Sequence, residues 1–474
     1  MAYVNQLHQL EFDTNSLQYH DICHVTGTIY ATAYQGGGSK LTVTTLNITT
    51  EGIVSVLDSY QDPAILFPHW FRLIHLADNV ICVLFEDNGQ CLLRTFSVNP
   101  GTGAIANIDS ATVDLSYRTT EDQAICHISG TIYGIVYLRG DFTGQLVTID
   151  IADNGIIGAQ ADSWQCGGDG SGEDFIHISG TTYAIITRTN LFTLTIAANG
   201  VITPAVIDTY TLTGANVEPH GRIVSIAGTK YAVVWRNSTA TTGVLATLDI
   251  QAGGAITEVE TLTFDDVGLT PDIIPFYTGV FYIVYKGSDS WVRGKQVEIA
   301  DDGNIGSILN CHPTSQANVY TQGYFPVLVH VAGTTSIIAC IWRGSGSDGY
   351  IETMGLRPSV TTQAVTDIVS IAATGNGNVT DLGEPNPTQH GHCWDTFHDP
   401  TTFDDKTELG AVVATGPFAS NIIGLLPGTR YYVRAYVYSG QAGQASSTTY
   451  GAEVSFDTPV TAGSANLGSA RLLI

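Results

Sequence analysis

The residues best placed to do chemistry are five cations that recur. Arg139, Arg188, Arg236, Lys286 and Arg343 each follow a short apolar run, and they return about every fifty residues. The chain has only 18 Lys and Arg among 474 residues, against 44 Asp and Glu. Five of its few cations therefore stand at one repeated place. Guanidinium and ammonium groups arrayed in this way would donate hydrogen bonds to an anionic or polyhydroxyl ligand. They would equally pair with acids in adjacent loops, such as Asp122, Asp174 or Asp272, and lock one repeat to the next. Trp70, Trp291 and Tyr320 lie in stretches that vary between repeats. Their flat rings suit stacking on sugars, or they cover the loops that carry them. Ligand binding is assigned to the five cations with Trp70 and Trp291.

Other constellations point elsewhere. His24, His75, His127, His177 and His330 share one repeat position. A ring of imidazoles would suit a metal, but Ser225 and Phe276 interrupt it. Hydrogen bonds from repeat to repeat are expected instead. Tyr30, Tyr133, Tyr183, Tyr231 and Tyr282 likewise recur and read as packing. His390, His392, Cys393, Asp395, His398 and Asp399 crowd one stretch, without a standard zinc spacing. Arg139-Gly140-Asp141 reads as a coincidence, because Arg-Gly returns at Arg343-Gly344. Asn47, Asn237 and Asn378 sit in glycosylation sequons, which matter only in a glycosylating host. There is no G-x-S-x-G elbow, H-E-x-x-H or P-loop. No catalytic residue, metal or cofactor is expected. Paired carboxylates from distant loops stay open as an alternative.

The elements that must position these groups repeat with them. A turn glycine falls at Gly27, Gly130, Gly180, Gly228, Gly279 and Gly333, and Asp78 marks a further copy, with spacings of 48 to 54 residues. In the copy around Gly130 four strands are predicted, A over Ala124–Ile128, B over Ile132–Leu138, C over Gln145–Ile151 and D over Ile156–Ser163. Alternation of period two marks strands. Asn-Gly and Asp-Gly mark tight antiparallel turns. About four short strands per fifty residues is the pattern of a β-propeller blade, so the fold class is all-β, with a seven-bladed propeller over 1–357. Asn5–Asp13 reads as a strand D with no A, B or C before it. It would complete the last blade, whose A, B and C lie in Phe325–Leu356. The A–B and C–D turns are uniform. The B–C and D–A loops vary, so the face that carries them is the expected binding face.

After a linker over 358–362 the period stops. Ile422–Gly440 contains Leu426, Pro427, Gly428, Thr429, Tyr431 and Val433, and this run resembles fibronectin type III domains. The resemblance implies a β-sandwich over 363–458, with Tyr431 as the corner tyrosine and Trp394 in the core. Residues 459–474 form a small-residue tail ending in Leu472-Leu473-Ile474, a frayed end or a docking peptide.

Composition narrows the partners. The formal net charge is −26, which argues against binding a phosphate backbone. No run of 18 apolar residues occurs, so no membrane insertion is expected, and the first residues carry no signal-peptide pattern. The eight cysteines are expected to be mostly free thiols, Cys82–Cys91 being the best disulfide candidate. Together the repeat and the second domain are similar to modular phage virion and prokaryotic surface proteins. The expected function is a non-enzymatic, multi-copy virion appendage that binds a receptor or glycan, with other virion or surface proteins as partners. The expected location is a virion or extracellular surface. A carbohydrate-active lyase or hydrolase and a protein-interaction scaffold are the alternatives.

Overall fold

The computed structural model describes residues 4–14, 17–115, 123–141, 143–168, 174–214, 221–288, 291–311, 324–344, 346–439 and 447–460. Tyr320, Asp122 and the tail's last residues fall outside these. The chain divides into two units, Tyr3–Met354 and Gly355–Ile474.

The first unit contains seven four-stranded antiparallel sheets among the described residues, each built as A-B-C-D. Their innermost A strands are Gln18–Thr26, His69–Ala77, Ala124–Ser129, Asp174–Ser179, Arg222–Ala227, Leu269–Tyr277 and Tyr324–His330, which define blades 1 to 7. Each A strand packs on the next, and the seventh packs on the first, so the ring is closed. The fold is a β-propeller. Val4–Asp13 joins the sheet of blade 7 as its outer strand, beside Gly349–Leu356. At the A–B turns the six glycines have φ between +54 and +81, and Asp78 takes φ +47 at the same place. Asp tolerates this left-handed backbone better than most residues do.

Two hydrogen bonds recur from blade to blade. A strand-C threonine donates to the carbonyl of the next blade's C–D turn glycine: Thr45 to Gly103, Thr95 to Gly155 and Thr148 to Gly200 at 2.7 Å, Thr193 to Gly254 at 2.6 Å. Thr353 of blade 7 donates to Gly52 of blade 1 in the same way. On the outer strands, Asp58, Asp109, Asp162, Asp208 and Glu260 accept the backbone N–H of Ile105, Ile157, Ile202, Ile256 and Ile305 of the next blade. At the closure His8 Nδ1 accepts the N–H of Val54 at 3.4 Å. The N-terminal strand thus supplies the same link as any other outer strand.

The recurrent histidines do not bond between blades as expected. His24, His75, His127 and His177 each place Nε2 2.8–3.0 Å from the carbonyl of their own A–B turn. The tyrosines make the inter-blade bond instead. Tyr183 OH donates to Ile128 O at 3.1 Å, Tyr231 OH to Ile178 O, and Tyr30 OH to His330 O across the closure. Tyr282 departs from the series and donates to Met354 Sδ. It stands one residue further from the turn: Tyr282 follows the pair Tyr277–Val280 by two residues, where Tyr133 follows the pair Ser129–Ile132 by one. A shift of one residue sends a strand side chain to the other face. Cys82 and Cys91 are free and buried. Cys82 pairs with Thr95 and Cys91 with Glu86, so the register keeps the two thiols apart and excludes a bridge between this candidate pair.

The second unit has two sheets. One has the order Ser359–Val369, Ala372–Asp381, Gly416–Ile423; the other has Asp405–Lys406, Gln389–Asp395, Arg430–Ser439, Ser447–Tyr450, with Val454–Asp457 also on Arg430–Ser439. Residues 359–362, expected as linker, open the first strand, where Thr361 and Thr362 pair with Asn378 and Gly377. Between the sheets lie Ala373, Trp394, Ile422, Tyr431, Val433 and Phe456. Tyr431 OH accepts the N–H of Leu426 at 3.0 Å.

Candidate functional site

The site grows from one register position on the A strands. Asp21, Arg72, Ala124, Asp174, Arg222, Asp272 and Val327 each lie opposite the equivalent strand-B residue. They form a wheel of groups around the axis. The three aspartates clip neighbouring blades together. Asp21 accepts the N–H of Ile22 (2.9 Å) and of Leu73 on blade 2 (2.7 Å). Asp174 accepts Phe175 and Ile223, and Asp272 accepts Ile273 (2.9 Å) and Leu328 (2.8 Å). Arg222 Nε is 3.6 Å from Asp272 Oδ1. Burial pushes the Asp272 carboxyl up to about 6, although Arg222 and the two N–H donors pull it down. Burial raises Asp21 as well, against the pull of Arg72.

Just before this position, four neighbouring blades share a distortion. The A–B pairing slips between Leu269 and Asp272, Tyr324 and Val327, Gln18 and Asp21, and His69 and Arg72. In each slip one residue takes a left-handed backbone: Thr270 (φ +47), Phe325 (φ +55), Tyr19 (φ +51) and Trp70 (φ +55). For bulky residues this conformation costs on the order of 1–3 kcal/mol each. Bulges re-aim side chains, and here all four line one cavity. Tyr19 is the hub, with ring centroids 4.6 Å from Trp70, 4.9 Å from His69 and 5.7 Å from Phe325.

The cavity holds about 30 Å³ and is also lined by His20, Arg72, Arg222 and Asp272. That is room for one or two waters. His20 is buried, with Nε2 3.2 Å from Ile341 O and no hydrogen-bond partner on Nδ1 among the described residues. Burial holds its imidazole down to about 4, so it is neutral at pH 7. The floor thus combines a carboxyl that titrates near neutrality, two guanidinium groups and a neutral imidazole. The mouth is aromatic.

Of the residues singled out by sequence, Trp70 lies on this site. The five cations do not line the cavity; all are half-buried on the same face. Arg139 Nε is 3.5 Å from Asp114 of the preceding blade, and Arg343 Nη2 donates to Ser347 Oγ at 2.7 Å. Arg188 follows strand B of blade 4, Arg236 lies near the end of strand B of blade 5, and Lys286 ends strand B of blade 6. Asp174 and Asp272, expected as partners for such cations, serve chiefly as backbone clips. Trp291, 37% exposed, stands on a loop of blade 6. The charged wheel and Tyr19, His20, Thr270 and Phe325 escaped sequence reasoning. Their one signal was a polar or charged residue two positions after each aromatic or threonine in Tyr19-His20-Asp21, Trp70-Phe71-Arg72 and Thr270-Pro271-Asp272. In the second unit, His390 Nδ1 lies 2.8 Å from Gly410 O and His392 Nδ1 2.7 Å from Ser420 Oγ. No group of three metal-ligating side chains occurs among the described residues.

No protein-family model and no curated protein sequence matches the chain. Solved structures similar to it include a Lactobacillus plantarum protein (12% identity, TM-score 0.47, 60% of this chain and 82% of that one). The periplasmic gluconolactonase of Pseudomonas aeruginosa matches at 9% identity and TM-score 0.48, over 85% and 99% of the two chains. A Bacteroides uniformis protein described as a 6-phosphogluconolactonase matches at 10% and 0.43, over 72% and 94%. At such identities the likeness concerns architecture. The expectation of a non-enzymatic virion appendage is nonetheless corrected. The activities named among these structures are those of lactonases. The chain is similar in fold to β-propeller proteins, and its affiliation ends at the all-β propeller class.

Proposed function

We propose that the propeller is a hydrolase acting on a sugar derivative at the axial cavity. One observation carries this reading: four adjacent blades hold strained bulges that turn Tyr19, Trp70, Thr270 and Phe325 onto a water-sized cavity floored by Asp272, Arg222, Arg72 and His20. A purely structural axis has no need of backbone strain repeated on one side of the ring. The aromatic mouth would stack on a sugar ring. Asp272, near 6, is poised to take a proton from a water in the cavity. Each carboxylate oxygen has a lone pair left after its backbone bond. The resulting hydroxide would attack a carbonyl carbon of the substrate, and Arg222 with Arg72 would stabilise the oxyanion that forms. Collapse of that oxyanion would expel the ring or ester oxygen, with the proton on Asp272 returned to it.

The second unit is read as fibronectin type III-like. Its division into three- and five-stranded sheets and the Tyr431–Leu426 bond support this reading.

The test is a pH-stat assay with glucono-1,5-lactone and a panel of sugar esters. Hydrolysis should rise as pH increases through about 6. It should fall about a hundredfold or more in Asp272→Asn, with the melting transition retained. No turnover above the buffer rate across the panel would overturn the reading.

A further inference from the structure

A second depression lies at the junction of blades 5 and 6. It encloses about 240 Å³ and is lined by Asp265, Tyr285, Gly287, Ser288, Arg293, Gly294 and Lys295. Asp265 ends the outer strand of blade 5, Ile256–Asp265. Tyr285 lies on strand B of blade 6, Val280–Lys286, and Arg293 and Lys295 on its strand C, Val292–Ile299. The register sets Tyr285 opposite Arg293 and Lys286 opposite Val292.

The wall is built, not incidental. Tyr285 OH donates to Asp265 Oδ2 at 2.6 Å, and Lys295 Nζ stands 3.1 Å from the same oxygen. Lys295 also donates to Phe264 O and is buried. Its charge is therefore fixed in place beside the carboxylate that balances it. Arg293 adds a second cation to the lining. The chain carries a net charge of −26, yet Arg293 and Lys295, two of its 18 basic residues, both line this cleft. Trp291 belongs to the same loop. Gly287 N donates to Trp291 O at 2.8 Å, which closes the loop, and the tryptophan is 37% exposed.

The junction of blades 2 and 3 makes a contrast. There Tyr137 OH donates to Asp114 Oδ2 at 2.9 Å, and Arg139 stands 3.5 Å from the same oxygen. The loop after that strand B, Arg139–Gly144, contains no tryptophan. The tyrosine–aspartate pair with its cation is thus a joint of the ring. The extra cation, the aromatic and the open volume are added to it in blade 6.

We propose that this cleft binds a carboxylated sugar ring, a uronate unit. Arg293 attracts its carboxylate, Trp291 stacks on its ring face, and Ser288 and Asp265 bond its hydroxyls. The site goes beyond the axial reading and does not depend on it.

The probe is trigalacturonate, titrated calorimetrically into the full chain, with the methyl-esterified trimer as uncharged control. Binding of the acid at least tenfold tighter than the ester is expected. Arg293→Ala and, separately, the exposed Trp291→Ala should each weaken it about tenfold or more, while Asp272→Asn leaves it unchanged. Equal binding of acid and ester, full affinity in Trp291→Ala, or no heat up to millimolar ligand would overturn the proposal. Loss in Asp272→Asn alone would overturn it too, by moving the ligand to the axis. Lactone hydrolysis measured on the same samples reports separately on the axial site.

Discussion

The two units solve the same problem by opposite means. The propeller repeats every joint. Five threonine–glycine bonds, six outer-strand acceptors and three axial aspartate clips tie blade to blade. The second unit makes each device once, with one buried tryptophan, one tyrosine bonded to Leu426 and one buried histidine bonded to Ser420. Redundancy spreads the cost of any single loss. It also lets a few positions of the ring depart from the pattern, and those departures are where the axial cavity and the blade 6 cleft lie.

The largest test of this contrast removes the closure. Deleting residues 1–13 takes the outer strand from blade 7, with His8 as the acceptor for Val54. It exposes the edge of Gly349–Leu356 and the apolar faces behind it, among them Ile351, Leu46 and Val54. The calorimetric transition of the ring should be lost at 25 °C while the second unit keeps its own. A full-size ring transition in the truncated chain would break the comparison, because the seventh blade would then be dispensable.

Acid sharpens it next. Burial holds His392 of the second unit down to about 4, against 6.5 for a free imidazole. Its contribution is fully present above 6.5 and is lost as pH falls toward 4, because the unfolded chain takes up the proton first. The size is roughly 2–3 kcal/mol. In the ring, His20 and His8 act in that same sense. Asp272, raised to about 6, and Asp21, also raised, act in the opposite one: the burden on Asp272 is lifted as pH falls below 6, and Asp21 likewise takes up its proton before the unfolded chain does. From pH 7 to 4.5 the melting temperature of the second unit should therefore drop further than that of the ring. His392→Gln, which keeps a polar group without the titration, should flatten the second unit's slope. A steeper drop for the ring would show that its carboxyls do not offset its histidines.

The smallest effect is a single joint. Thr148→Val removes one of five equivalent bonds, that to Gly200, and should cost about 1 kcal/mol. Loss of several times that value on urea unfolding would mean that the joints act cooperatively and the ring is less redundant than its repetition implies.

Sequence alone determined the repeating skeleton. The turn glycines, the Asn-Gly signals and the lone outer strand at Asn5–Asp13 encode local backbone geometry and period, and both survive in one dimension. Burial was less legible. Strand C was expected to alternate, yet Lys40–Ile48 and Thr143–Ile151 are buried along most of their length, because each blade is covered on both faces by its neighbours. The site was less legible still. Trp70 and Trp291 were marked beforehand, but Asp21, Arg72, Arg222 and Asp272 lie 51, 150 and 50 residues apart in turn. Only the closed ring brings them to one axis. Their burial, the titration of Asp272 near 6 and the bulges beneath the aromatic mouth follow from packing around that axis, which no local stretch of chain encodes.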